Sequence, residues 1–257
     1  KKEMKAAAIS MAKKAERLGV DIRMNTKVTP EMIEEIKPHT VMNAIGAESI
    51  IPPIPGVDKA FVKDSHDVLD GKAEATGNVV VIGGGMVGME TAEYLAEKGA
   101  KVSVLEMLPD ICSDMGTTRK ICMGEEIQKS GIIPVTSIKV TEIGDNVVIG
   151  EKDGEKVEFP CDAAVLAIGA KKRDGSALAE TFYKNGIGYF EIGDAAMARR
   201  AINATREAMD AALTFDREDV HRDVSKPKKL VFITGASGMM GGQTLKQLLA
   251  RPNRFKV

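Results

Sequence analysis

The run Val79-Val80-Val81-Ile82-Gly83-Gly84-Gly85-Met86-Val87-Gly88-Met89-Glu90 constrains the fold of this chain more than any other stretch. Four consecutive branched apolar residues read as a strand buried on both faces, the kind parallel sheets use. A glycine turn follows, then helical spacing from Met86 to Lys98, stopped by Gly99. A lone G-x-G-x-x-G is weak, because glycines are common in turns. Here the turn leaves a strand, opens a helix, and leads to a second strand, Lys101 to Glu106, whose acidic end lies eighteen residues after Gly88. That combination marks a dinucleotide-binding unit. Gly83 permits the tight turn, Gly85 lets a pyrophosphate approach the backbone, and Gly88 lets helix and strand pack closely. The phosphates then meet the amide hydrogens of Met86 and Val87 at the positive end of the helix. Glu106 can accept hydrogen bonds from both ribose hydroxyls, and its charge repels a 2′-phosphate. This predicts NAD(H) over NADP(H), with Lys98 and Lys101 close enough in sequence to offset part of the repulsion.

Around this centre the pattern is α/β throughout. A helix is predicted over Lys1 to Leu18, ended by Gly19, and Val20 to Val28 reads as extended. A short helix capped by Thr29-Pro30 runs to Lys37, and Thr40 to Ile45 is a buried strand. The proline-rich run Ile51 to Gly56 can be neither helix nor central strand, so it is a connector. A helix from Thr118 to Ser130 precedes three alternating strands between Ile138 and Pro160, with turns at Gly144-Asp145 and Asp153-Gly154. Ala163 to Ile168 and Gly188 to Ile192 are further strands, and Ala201 to Phe215 a helix. One internal repeat is visible: Asn43-Ala44-Ile45-Gly46-Ala47 recurs as Leu166-Ala167-Ile168-Gly169-Ala170. Two nucleotide-binding sheets of related build would place this strand-end turn twice.

Charge and cysteine content exclude several function classes. The 36 basic residues nearly balance 37 acidic ones among 257, which gives no electrostatic reason for a nucleic acid or an anionic membrane as partner. No apolar run approaches the roughly 20 residues of a membrane span. Three scattered cysteines, Cys112, Cys122 and Cys161, fit a reducing compartment and show no metal-ligand spacing. His39, His66 and His221 show no catalytic partner pattern. The expectation is a cytoplasmic enzyme acting on a small-molecule substrate, with a homo-oligomer compatible and no catalytic residue of its own. Lys1 reads as the inside of a helix and Phe255 to Val257 as a beginning strand, so the chain reads as a piece of a longer polypeptide.

Gly193-Asp194, after the strand ending at Ile192, is a second candidate site. An aspartate at a strand end can accept a hydrogen bond from a sugar-like hydroxyl beside a pyrophosphate, or simply cap a helix. The order of motifs resembles the C-terminal FAD/NAD(H) half of the 2-enoate reductase and 2,4-dienoyl-CoA reductase type of Old Yellow Enzyme relative. The resemblance covers roughly Lys1 to Phe215. It is carried by Asn25 to Thr29, Ala44 to Ala47 with Ile54-Pro55-Gly56, Asp67-Val68-Leu69, Gly83 to Glu93, Asp162 to Gly169 and Ile192 to Ala195. The chain departs from that pattern at Asn43, Ile45 and Glu48-Ser49. The resemblance implies an NAD(H)-binding domain inserted into a partial FAD-binding domain, with Asp194 on the FAD ribityl chain. It implies that Gly46 and Gly169 mark the crossings between domains, and that Glu90 lies toward the nicotinamide. FMN and a 4Fe-4S cluster are implied only for a part upstream of Lys1, along with the first flavin glycine motif, so FAD is not expected to be held stoichiometrically.

The resulting domain reading is 1–72 and 187–216 for the partial FAD-binding domain, with 73–186 inserted. Residues 217–228, dense in charge, read as a linker. The tail 229–257 carries Lys229 to Ile233 and then Thr234-Gly235-Ala236-Ser237-Gly238-Met239-Met240-Gly241. It resembles the start of an extended short-chain dehydrogenase or epimerase, with Gly235, Gly238 and Gly241 as its phosphate turn. The strand should find no complete nucleotide fold here and instead pack on a neighbouring chain, pack on the open edge of the flavin-like sheet, or stay poorly ordered. A rival reading makes that downstream enzyme the main activity, and a third makes the flavin half degenerate.

Overall fold

The computed structural model describes residues 2–113, 115–214, 229–234, 244–245, 248–249 and 255–256. Its first segment holds α1 (Lys2–Arg17), α2 (Pro30–Ile36), β1 (Thr40–Asn43) and β2 (Ala47–Ser49). The Thr29 side chain accepts from the Met32 amide, Pro30 sits in the first turn, and Lys37 closes α2 in the left-handed conformation. The chain continues through β3 (Val62–Asp64), α3 (Ser65–Leu69), β4 (Asn78–Ile82), α4 (Met86–Glu97), β5 (Lys101–Leu105), α5 (Thr117–Ser130) and β6 (Ile133–Val135). Next come β7 (Lys139–Gly144), β8 (Val147–Lys152), β9 (Glu155–Pro160), β10 (Ala163–Leu166) and β11 (Ala170–Lys172). Last are α6 (Ser176–Lys184), β12 (Gly188–Glu191), a 3-10 turn Gly193–Ala195, α7 (Ala201–Thr214), β13 (Lys229–Thr234) and β14 (Phe255–Lys256).

Two compact units emerge, one from Lys1–Glu48 with Lys171–Val257, the other from Ser49–Ala170. The second unit is a parallel sheet in the order β3-β10-β4-β5-β6, plus an antiparallel meander β7-β8-β9. Val79 and Val81 face one apolar cluster with Met89, Ala92 and Leu95 of α4. Val80 and Ile82 face another with Ile138, Ile143 and Val148 of the meander side. Burial on both faces is what the unbroken apolar run of β4 requires. The bounds of this unit differ from 73–186 because Ser49 onward supplies β3, which pairs with β10, whereas α6 belongs to the first unit through Phe182, Val41 and Ile33.

The first unit has the parallel order β12-β1-β13-β14. Its core joins Met42, Ile192 and Val231 to Ala208, Ala211 and Ala212 of α7. Residues 229–234 join the parallel sheet of the first unit: of the outcomes expected for the tail strand, it takes the edge of β1. The linker 217–228 lies outside the described residues. Strands β2 and β11 pair as a two-stranded ribbon where the chain passes from one unit to the other and back. Among the described residues no helix is long and apolar enough to cross a membrane.

Candidate functional site

In the second unit, geometry requires glycine at two positions of the turn and leaves a third open. Gly83 has φ +109°, donates its N–H to Leu105 O at 2.8 Å, and would set a Cβ 2.5 Å from Ala167 O. Gly88 is buried in the first turn of α4, and a Cβ there would fall within 1.9 Å of Gly83 O. Gly85 is the residue before the helix, and an added Cβ there meets nothing within 4 Å. This leaves an open approach to the backbone at the point where α4 begins. Among the described residues the start of α4 has no side-chain cap bond and no acidic residue in its first turn, which leaves the positive helix end suited to an anion.

Glu106 stands beside this turn on a fixed backbone: its N–H donates to Val135 O at 2.9 Å and its carbonyl accepts from Ile138 N–H at 3.0 Å. Its carboxylate accepts from Gly84 N–H at 2.6 Å and Leu108 N–H at 2.8 Å. The side chain is thus aimed and held by charge-assisted bonds. Lys98 does not reach it, because its ammonium lies 4.4 Å over the Tyr94 ring. Lys101 starts β5 at the opposite end from Glu106, roughly 16 Å away along an extended strand. The offsetting cations expected from sequence are not at this carboxylate. Glu90 is half-buried on α4. Further along the same helix, burial raises the Glu93 carboxyl above its ordinary value of 4.5, helped by Glu126.

In the first unit, Gly46 follows β1 with φ +78° and open space where a Cβ would be. Gly169, in the second unit, repeats the positive φ at the end of β10 with φ +108°, and a Cβ there would touch Ile50 Cδ1 at 3.9 Å. Gly193 and Asp194 sit at the end of β12, the strand beside β1, so Gly46 and Asp194 share the carboxyl ends of parallel neighbours, where open α/β sheets bind ligands. Asp194 does not cap its own 3-10 turn; its carboxylate accepts from Arg199 N–H at 3.2 Å and fixes the loop into α7. Sequence reasoning missed Glu207, which accepts from Gly193 N–H at 2.8 Å and pairs with the Arg199 guanidinium. It also missed Tyr189, whose hydroxyl accepts from the Asn43 amide at 2.7 Å and donates to Glu191. Burial pushes that phenol up to about 12. No spacing rule links Arg199 to Glu207 or Asn43 to Tyr189; the loop before α7 brings the first pair together and the pairing of β1 with β12 the second. Gly235, Gly238 and Gly241 lie outside the described residues.

A glycine turn at a bare helix start, with an anchored acidic strand end in a parallel sheet, defines a dinucleotide-binding unit of the Rossmann type. The Pyridine nucleotide-disulphide oxidoreductase model matches residues 9–195, and the chain belongs to that family of NAD(P)H-dependent flavoprotein oxidoreductases. The chain is 41% identical over 171 residues to a bilirubin reductase of Mediterraneibacter gnavus (strain CC55_001C), covering 66% of this chain and 27% of that one. It is 39% identical over 201 residues to an NADH oxidase of Thermoanaerobacter brockii, covering 76% and 31%. Among solved structures, a 2-naphthoyl-CoA reductase in complex with 2-naphthoyl-CoA superimposes with a TM-score of 0.68 at 30% identity, over 74% of this chain and 29% of the other. The chain thus spans about a third or less of these relatives. The family match ends before Lys229 and does not favour the tail as the main activity.

Proposed function

We propose that this chain is the NADH:flavin oxidoreductase module of a larger enzyme that reduces activated C=C bonds, of the 2-enoate or dienoyl-CoA type. The observation that carries the nicotinamide part is the Glu106 carboxylate, held by Gly84 and Leu108 amides beside the open approach at Gly85. Gly85 would admit the pyrophosphate, the amides of Met86 and Val87 would bind it, and Glu106 would accept from the ribose hydroxyls. The anchored carboxylate, with neither Lys98 nor Lys101 near it, would repel a 2′-phosphate. When bound, the nicotinamide would supply a hydride and the flavin would serve as its two-electron acceptor. For FAD, the open backbone at Gly46 and the Asp194 carboxylate fit a flavin's sugar-phosphate portion, with Glu207 and Arg199 holding Gly193 and the following loop in place.

The C=C substrate is supported by the order of motifs and by the likeness to a protein named 2-naphthoyl-CoA reductase. Among the described residues no group of three or more His, Cys, Asp or Glu side chains could hold a metal ion, so these residues do not fit an iron–sulfur cluster. Calorimetric titration with NADH and NADPH tests the central reading. NADH should bind at least about tenfold more tightly, and Glu106→Ala should narrow that ratio. Equal affinity of the unaltered chain, or tighter NADPH, overturns it.

A further inference from the structure

The repeated five-residue sequence holds the same place in two sheets. Aligning Asn43-Ala44-Ile45-Gly46-Ala47 with Leu166-Ala167-Ile168-Gly169-Ala170 makes Asn43 the counterpart of Leu166. The register of β10 sets Leu166 against Ile82, the last residue of β4. The register of β1 sets Asn43 against Thr234, the last residue of β13. The next backbone bond repeats as well: Ala167 N–H donates to Ile82 O at 2.8 Å, and Ala44 N–H donates to Thr234 O at 3.0 Å. The orders β12-β1-β13-β14 and β3-β10-β4-β5 correspond place for place. By register, β13 is to the first unit what the glycine-turn strand β4 is to the second.

The side chains at this shared position differ in a matched way. In the second unit Leu166 and Ile82 are both apolar and lie in one buried cluster. In the first unit Asn43 is 2% exposed and Thr234 5%. The Thr234 hydroxyl donates to Asn43 Oδ1 at 3.1 Å and accepts from Ala44 N–H at 3.3 Å. Asn43 Oδ1 also accepts from Ile45 N–H at 3.2 Å. An apolar residue in place of Thr234 would remove both hydroxyl bonds from a buried position, where lost partners are costly. A strand ending in threonine suits this edge, and one ending like β4 does not.

We propose that the edge of β1 is a docking slot for a glycine-turn strand, that residues Lys229–Thr234 are its occupant selected by the Asn43–Thr234 pair, and that they exclude other strands from that edge. The backbone groups along this side of β1 pair only once. A glycine-turn strand from a flavin-binding segment therefore has to displace the tail to reach β1. That consequence rests on the flavin reading of the first unit; the pairing itself does not.

Hydrogen exchange on the full chain in dilute solution tests the pairing, with β4 amides as the internal control for an intact second unit. Wild-type β13 amides should be protected, and Thr234→Ser should match them. Thr234→Val and Asn43→Leu should each exchange at least about tenfold faster, while the double variant recovers to within about threefold of wild type. Unprotected β13 amides in the wild type overturn the proposal, as does a double variant showing the product of the two single effects. If a single variant unfolds the first unit, a folded double variant supports the pair and an unfolded one overturns it. The NADH titration reads the second unit, so its failure is separate from this one.

Discussion

Replacing Gly88 by alanine sets a methyl carbon 1.9 Å from the Gly83 carbonyl oxygen, a backbone atom held in the turn. An ordinary contact needs about 3.5 Å, so α4 must move from β4 by roughly 1.5 Å. That displacement loosens Met89 and Ala92, both fully buried against the sheet. Overpacking of this kind costs about 1–3 kcal/mol, and alanine's helix propensity returns at most about 1. The expected net loss is about 1–2 kcal/mol, together with weaker NADH binding because the helix start has shifted. Gly85→Ala is the contrasting change: its φ of −72° suits any residue and nothing lies within 4 Å of the new methyl. Its stability should stay within about 0.5 kcal/mol of wild type. Its methyl occupies the approach assigned to the pyrophosphate, so NADH affinity should fall at least about tenfold. Urea unfolding and calorimetry on the two variants decide the matter. A Gly88→Ala protein as stable as wild type refutes the packing argument, and undiminished NADH affinity in Gly85→Ala refutes the site.

Glu93 has a raised pKa in the fold, so the native state binds more protons than the unfolded one and stability falls as pH climbs above about 4.5. Glu93→Gln should therefore stabilise the chain at pH 7 and have no such effect below pH 4, measured by denaturant unfolding; an equal gain at both pH values would count against this. Burial, with Asp162, pushes the Cys161 thiol up to about 11, and Cys112 is also buried, so a thiol reagent at pH 8 should label the exposed Cys122 first in the native protein. Mass spectrometry of the labelled peptides reads this, and early modification of Cys161 would contradict it. Gly154→Ala at φ +82° should cost about 1 kcal/mol in the β8–β9 turn, read by thermal unfolding.

Elements that signal locally were legible from the residues. The apolar run of β4, the glycines of the turn and the Asp153-Gly154 hairpin each carry their geometry within a few positions. The short edges did not. Val62-Lys63-Asp64 becomes β3 because Val62 pairs with Ala164, a partner about a hundred residues away. Ile133-Pro134-Val135 becomes β6 despite its proline, which an edge strand tolerates. Helix α6 had a usable signal, Leu178 and Phe182 one turn apart, with Phe182 packed 4.8 Å from Tyr189. At the candidate sites, the place of Glu106 beside the glycine turn was readable because it follows from strand spacing. The brace on Gly193 was not, since Glu207 reaches it from a later helix.

The crossings between the units carry a reciprocal pair of bonds: Ile50 N–H donates to Gly169 O at 3.1 Å, and Arg173 N–H to Gly46 O at 3.2 Å. The first bond ties the two ends of the inserted unit together, and the second ties the two stumps of its host. Loop closure depends on the distance between the joined ends far more than on what is strung between them. An insertion whose ends already touch adds almost no closure entropy to the host, whatever its length. The unit could be excised and the gap bridged by a short turn, or carried into another sheet that offers two adjacent strand ends. The ribbon is therefore the seam along which such modules can be cut and transplanted.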